Sequence, residues 1–344
     1  MTPLPPSRPR TVRWHPQAYA FMGALGLVLL LLALGPWLFP PGALERLVAL
    51  YVYVTLAMSW NLLAGFGGLV SVGQQAFFGL GAYVAIRLSA GGLAPYPALA
   101  LAAFAVALIA LPIGEAMLHL EGGAFAIGMW VVAELAHLLV NLDPLVQGET
   151  GISLIALEAV PAALRRMATY WFALAGMTGF GLLVFLLLRG PAGLALQAIR
   201  DDAGAAESIG VRVFHVKRLV FALAALGGAF AGAAWLASAI TFQPHAYFSV
   251  QWTAYMIFMS LVGGLGTFEG PLLGAVLFFL IETFFGGSGV WYLIGLGAAA
   301  LLFALFVPEG LVGGLERRFT LRLLPVGYRV ILPASSTRQG ESLP

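Results

Sequence analysis

The sequence contains no cysteine and a single lysine, Lys217, and only 9% of its 344 residues are charged. Without cysteine there are no disulfides, thiolate metal sites or cysteine nucleophile. The lone lysine follows Phe214-His215-Val216, so no GxxxxGK[ST] phosphate loop exists, and the chain cannot bind and hydrolyse ATP by itself in the usual way. The five histidines (His15, His119, His137, His215 and His245) show no ligand spacing, HExxH is missing, and no GxGxxG follows a strand. These gaps argue against an enzyme and against a metal or cofactor bound by this chain. A soluble domain carries about a quarter charged residues, so the shortage of charge also excludes an ordinary water-exposed surface.

What is present fits a bilayer. Hydrophobic residues make up 61% of the chain, and 43 glycines supply positions where membrane helices can approach closely or break. Apolar segments long enough to cross about 30 Å of hydrocarbon occur at 18–38, 44–64, 95–113, 123–141, 168–188, 218–240 and 290–307. Two further regions, 66–90 and 250–285, are apolar but interrupted by glycine, and read as one and two spans. The expected fold is therefore all-α, a polytopic integral membrane protein of about ten transmembrane helices. The run after Arg8, Arg10 and Arg13 has spanning length and is read as the first helix rather than a cleaved signal.

The basic residues orient this arrangement. With the N-terminus inside, Arg189, Arg200, Arg212, Lys217, Arg218, Arg317, Arg318, Arg322, Arg329 and Arg338 join the first three arginines on the cytoplasmic side. Only Arg46, Arg87, Arg165 and Arg166 fall outside. That bias predicts an even number of spans with both termini cytoplasmic. The expected division is a cytoplasmic segment 1–17, one transmembrane domain 18–310 with an inner loop 189–218, and a cytoplasmic tail 311–344. The last dozen residues, PASSTRQGESLP, have a disordered composition.

Lipid-exposed backbone must be hydrogen-bonded internally, so glycine-rich breaks survive only where they pack on protein or line a water-filled path. GGLVSVGQQ and GGLGTFEGP share a Gly-Gly-Leu start, by internal repetition or by coincidence, and tight helix packing is the alternative to a pore. Polar groups within spans are costly and face a partner or a polar cavity. Asn61, Gln74, Gln75, Glu134 and His137, with Gly264 and Gly266, are the candidates for a translocation path. Glu134 and His137 could equally form a structural pair. Glu115, Glu121, Glu269 and Glu282 read as solvated interface residues.

The inner loop GPAGLALQAIRDDAGAAESIGVRV places Leu196, Ile199, Ala203, Ala206 and Gly210 at helical spacing, with Arg200, Asp201, Asp202 and Glu207 elsewhere around the turn. A short amphipathic helix with a narrow small-residue stripe suits a docking element, although a solvated helical linker would share the periodicity.

The stretch QAIRDDAGAAESIGVRVFHVKRLVFALAALGGAFAGAAW resembles the cytoplasmic loop and following helix of branched-chain amino acid ABC permeases of the LivM type. Ala198, Ile199, Arg200, Asp202, Ala205, Ala206 and Gly210 match that family's AIRxDxxAAxxxG pattern, a variant of the EAA coupling motif. NLLAGFGGLVSVGQQAFFGLGAY, GAFAIGMWVVAEL, QGETGI, SLVGGLGTFEGPLLGA and VPEGLVG resemble further family segments in order, from about Asn61 to Gly313. The chain departs from the pattern at Glu121, Ala124, Met129 and Glu149-Thr150. The resemblance implies a permease subunit of an ABC importer in a bacterial or archaeal cytoplasmic membrane. Its cargo would be branched-chain or other hydrophobic amino acids, with urea, short amides or aromatic acids as alternatives. It also implies a second, LivH-type permease, two cytoplasmic ATPase subunits that use ATP and Mg, and an external solute-binding protein. Arg200, Asp201, Asp202, Ala206, Glu207 and Gly210 would form the ATPase-coupling loop. A reading of another class is an ion-coupled secondary transporter with Glu134 or Glu282 carrying a proton.

Overall fold

The computed structural model of the chain describes residues 10–12, 16–307, 309–319 and 329–331. The stretch PASSTRQGESLP lies outside them. Among the described residues the architecture is all-α, apart from two short antiparallel strand pairs. The α-helices of six or more residues are α1 (Pro16–Ala33), α2 (Pro41–Asn61), α3 (Gln75–Ala90), α4 (Pro95–Met117), α5 (Gly122–Asn141), α6 (Ala162–Arg189), α7 (Pro191–Asp201), α8 (Ala203–Ser208), α9 (Val213–Ala239), α10 (Val250–Gly263), α11 (Gly270–Phe285), α12 (Val290–Phe306) and α13 (Gly310–Phe319). Proline occupies the first turn of α2, α4, α7 and α11, where its missing N–H costs nothing and its fixed φ starts the helix.

Six helical segments are long and apolar enough to cross a membrane: Pro41–Phe66, Pro95–Met117, Gly122–Asn141, Ala162–Arg189, Val213–Ala239 and Gly270–Ser288. Phe21–Ala33 and Val290–Phe306 are shorter apolar helices. The glycine-broken regions differ from full spans. Residues 67–74 carry no helix, so the expected span 66–90 is a 16-residue helix, about 24 Å long, preceded by irregular chain. In 250–285 the glycine turn cuts the region into helices of 14 and 16 residues.

Helix directions define two ends of the bundle. The end where α6 finishes and α9 begins carries α7 and α8 and is termed the loop end; the other is the distal end. α9 runs through the interior against α2, α3 and α4. Its middle, Ala224 to Ala234, consists of buried alanine and glycine except for the half-buried Leu226 and Phe230. A Cβ on Gly81 would strike Ala229 O, and one on Gly232 would strike Phe78 O, so α3 and α9 meet backbone to backbone. For these glycines, close packing is the structural reason.

The strands sit at opposite levels. Ile152–Ser153 pairs with Thr241–Phe242 at the distal end, where α9 finishes. Arg10–Val12 pairs with Arg329–Ile331, which brings the two terminal regions together.

Candidate functional site

The inner loop is two helices rather than one. Asp202 is extended at the junction, and its Oδ1 accepts the Ala205 N–H at 3.0 Å, capping α8. A second stop follows at Gly210, whose φ of +90° favours glycine, while the Val211 N–H returns to Ala206 O at 3.0 Å. The apolar stripe turns inward. Leu196 enters the main core, and Ile199 and Ala206 pack with Val213. Ala206, expected at the docking contact, is 2% exposed and holds the helix pair together. The outward surface consists of Arg200, Asp201, Asp202, Glu207 and Gly210, with Ile209 at 77% exposure. Ile209 was missed by periodicity. Its signal was an apolar residue stranded between Ser208 and the helix-stopping glycine.

Arg200 links this loop to the membrane core. A Cβ on Gly266 would strike Arg200 Nη1 and would lie 3.0 Å from Gly65 O. The guanidinium therefore lies where two glycine-rich turns meet, the end of the α2 extension Leu62–Phe66 and the α10–α11 turn. Helix-terminal carbonyls favour a cation there.

Asn61 joins the same two turns. Its Oδ1 accepts the Gly266 N–H at 2.8 Å, and its Nδ2 donates to Thr267 O at 2.8 Å. An amide has one acceptor and one donor end, so it can mimic a peptide partner for irregular backbone. Asn61, expected to line a path, thus uses its side chain on a turn. Gly264 and Gly266 have φ of +132° and +74°, which this turn requires. Glu269, expected to be solvated, is buried at 6% exposure at the start of α11.

The remaining path candidates separate. The Gln75 N–H donates to Thr253 Oγ1 at 3.2 Å, and the Thr253 hydroxyl donates back to Gln75 Oε1. Gln74 is fully buried at the start of α3, and neither atom of its amide has a hydrogen-bond partner among the described residues. His137 lies between two carboxylates, 2.9 Å from Glu149 and 3.5 Å from Glu134, with its ring stacked on Phe248. Glu149 also accepts from Asn141 Nδ2 at 2.7 Å and from the His245 N–H at 2.9 Å. This departure from the family pattern therefore ties α5 to the chain after α9. The departure at Met129 is fully buried, with its carbonyl against Gly73. Glu134 faces outward beside exposed Trp130, Val131 and Leu138. Tyr53 donates to Glu282 at 2.7 Å, so that half-buried carboxylate has a protein partner.

Outside the helices, Asp143 anchors α3. It pairs with Arg87 at 2.7 Å, accepts from the Tyr83 hydroxyl at 2.6 Å and from the Leu145 N–H at 3.0 Å. Burial opposes ionisation, but Tyr83, the Leu145 N–H and Arg87 together hold the carboxyl below its ordinary value. No group of three or more His, Asp or Glu side chains suited to a metal occurs among the described residues.

Comparison with known proteins agrees with this architecture. The family model described as branched-chain amino acid transport system / permease component matches residues 42–307. The chain is 26% identical over 314 residues to the high-affinity branched-chain amino acid transport system permease protein LivM of Salmonella typhimurium, covering 83% of this chain and 74% of that protein. The protein of the same name in Escherichia coli is 25% identical over the same coverage. A probable branched-chain amino acid transport permease protein LivM of Methanocaldococcus jannaschii is 24% identical over 140 residues, 37% of this chain and 41% of that one. With its membrane helices, its glycine turns and its loop helices all inside or bordering the matched region, the chain belongs to the branched-chain amino acid transport permease family, a transport subunit rather than an enzyme.

Proposed function

We propose that this chain forms half of the translocation path of an ABC importer for branched-chain or other hydrophobic amino acids. The loop end faces the cytoplasm, and ATP and Mg are used by separate ATPase subunits. The observation that carries the reading is the Arg200 guanidinium at the meeting point of the two glycine turns. A motor that grips the outward side of α7 and α8 would act through Arg200 on both breaks at once. ATP binding could then shift the membrane helices between two arrangements. Arg200, Asp201, Glu207, Ile209 and Gly210 form the contact, with Asp202 and Ala206 shaping it.

Counting the shorter helices α1, α3, α10 and α12 with the longer ones makes ten crossings. The pairing of Arg10–Val12 with Arg329–Ile331 supports an even number with both ends on one side. The outward face of α5 meets the second, LivH-type permease. A carboxylate turned to lipid costs about 2.5–3.5 kcal/mol on insertion scales, so Glu134 belongs against a partner or an aqueous path. An external solute-binding protein selects the cargo and delivers it at the distal end.

Reconstitution with the partner permease and ATPases tests the reading. ATP-dependent uptake of leucine, isoleucine or valine is expected, and the chain alone should be inactive under any ion gradient. Gradient-driven uptake by the isolated chain would replace the ABC reading with secondary transport through Glu134 or Glu282. Ligand titration of the partner binding protein separates amino acids from urea, short amides and aromatic acids.

A further inference from the structure

A small pocket opens at the distal end, where α2 and α6 begin and α9 finishes. Its volume is about 60 Å³, and Glu45, Arg165, Arg166, Thr169 and Ser238 line it above buried Val48. The pocket carries charge of both signs, but no ion pair joins Glu45 to Arg165 or Arg166 among the described residues. Arg165 reaches only Leu157 O, at 3.5 Å, and its backbone carbonyl is taken by Tyr96. Arg166 has no partner among the described residues. Oppositely charged side chains that line one pocket without pairing leave room for a ligand with complementary charges.

We infer that this pocket binds a compact zwitterion, its anionic group on Arg165 and Arg166 and its primary ammonium on Glu45. Size supports a headgroup rather than a bulky molecule. One water needs about 10–15 Å³ of such space, so 60 Å³ admits a few heavy atoms. The N-terminal turn of α6, positive by its dipole, lies beside the two arginines and favours an anionic group there. Guanidinium suits either carboxylate or phosphate oxygens, and a carboxylate suits an N–H-bearing ammonium. Two sources carry this chemistry, the backbone end of an α-amino acid and the headgroup of phosphatidylethanolamine.

The test uses the full chain in nanodiscs. In the lipid arm, the discs contain phosphatidylcholine with a minor share of phosphatidylethanolamine or of phosphatidylglycerol, and retained lipid is read by native mass spectrometry. In the amino-acid arm, radiolabelled glycine and leucine are dialysed against phosphatidylcholine discs. The proposal expects at least tenfold preference for phosphatidylethanolamine over both other lipids, or saturable binding of glycine and leucine alike. Whichever ligand binds should be lost in both E45Q and R166Q, and recovered at least in part in the charge-exchanged pair E45R with R166E. Glu45 is exposed and Arg166 half-buried, and gel filtration verifies that each variant remains monodisperse. Absence of binding in both arms would overturn the proposal. So would unchanged binding in the single variants, or equal retention of phosphatidylglycerol with no effect of E45Q, which would show a simple anion site.

Discussion

Asn61 holds Gly266 with its side-chain oxygen and the adjoining Thr267 carbonyl with its side-chain nitrogen, each at 2.8 Å. The contact bridges 205 residues of sequence and ties the end of α2 to the α10–α11 turn. Replacing Asn61 with alanine leaves a backbone donor and acceptor without their partner, at a cost of about 1–3 kcal/mol. A lower melting temperature in detergent is expected for N61A, with N61D also impaired because a carboxylate cannot donate to Thr267. An unchanged melting curve for both would remove the clamp from the account.

Arg200 should matter for coupling more than for folding, since the residue is exposed on the loop while its guanidinium reaches the turns. In the assembled transporter, R200A is expected to reduce ATP-driven uptake by about 5- to 150-fold, the usual range of coupling energies, while ATPase subunits still copurify. R200K should rescue poorly, because an ammonium lacks the planar fork. Equal uptake by wild type and R200A would show that force passes elsewhere.

At Gly210 and Glu207 the expected defect is uncoupling. Gly210 adopts φ of +90°, so valine there strains the end of α8, although a Cβ would meet only open space. G210V and E207W should leave the chain inserted while ATP hydrolysis proceeds without uptake. By contrast, D202A removes the cap of α8 and should cost about 1 kcal/mol, measurable as faster proteolysis of the loop. Full coupling in all three variants would exclude the loop from the mechanism.

The Gln74 amide is buried without partners, so an apolar side chain of similar shape should be better tolerated than the native one. Q74M is expected to raise the melting temperature by an amount equivalent to about 1–3 kcal/mol. If Gln74 meets cargo during transport, uptake falls in the same variant. A destabilised Q74M would show that the amide is satisfied in the membrane.

The anchor at Asp143 gives a pH dependence. Its carboxyl lies below the ordinary value in the folded chain, so the unfolded chain binds the proton more readily. The stabilisation is complete above the ordinary carboxylate value of about 3.9 and disappears as pH falls through the lower, folded value. The melting temperature of wild type should exceed that of D143N at neutral pH, and the two should converge in that acid window. A constant gap across it would deny Asp143 the role.

Much of the architecture was legible in the residues. Hydrophobic runs placed most of the long helices to within about six residues, because lipid leaves the backbone no alternative to helix. The broken segments were located by their glycines, but not their form. The glycines mark residues 67–74 as a break, one of them, Gly68, at a φ of +68°, but no local pattern shows that Gly81 and Gly232 put α3 and α9 in backbone contact. The loop illustrates both sides. Of its stripe, Leu196, Ile199 and Ala206 are buried while Gly210 is exposed beyond a second helix, and periodicity cannot say whether an apolar face meets a partner or the chain's own bundle.

The polar residues show the same limit. A polar side chain in an apolar run must find a partner, and the sequence by itself determined that Asn61, Gln74, Gln75, Glu134 and His137 carry this need, just as it determined membrane insertion and the lack of a phosphate loop. Only the tertiary structure decided that Asn61 spends its amide on Gly266 and Thr267, that Gln75 spends its own on Thr253, and that Gln74 finds no partner among the described residues. Hydrophobic burial is a sum over composition and survives in one dimension. Hydrogen bonds depend on positions and directions that exist only after residues hundreds apart have been brought together.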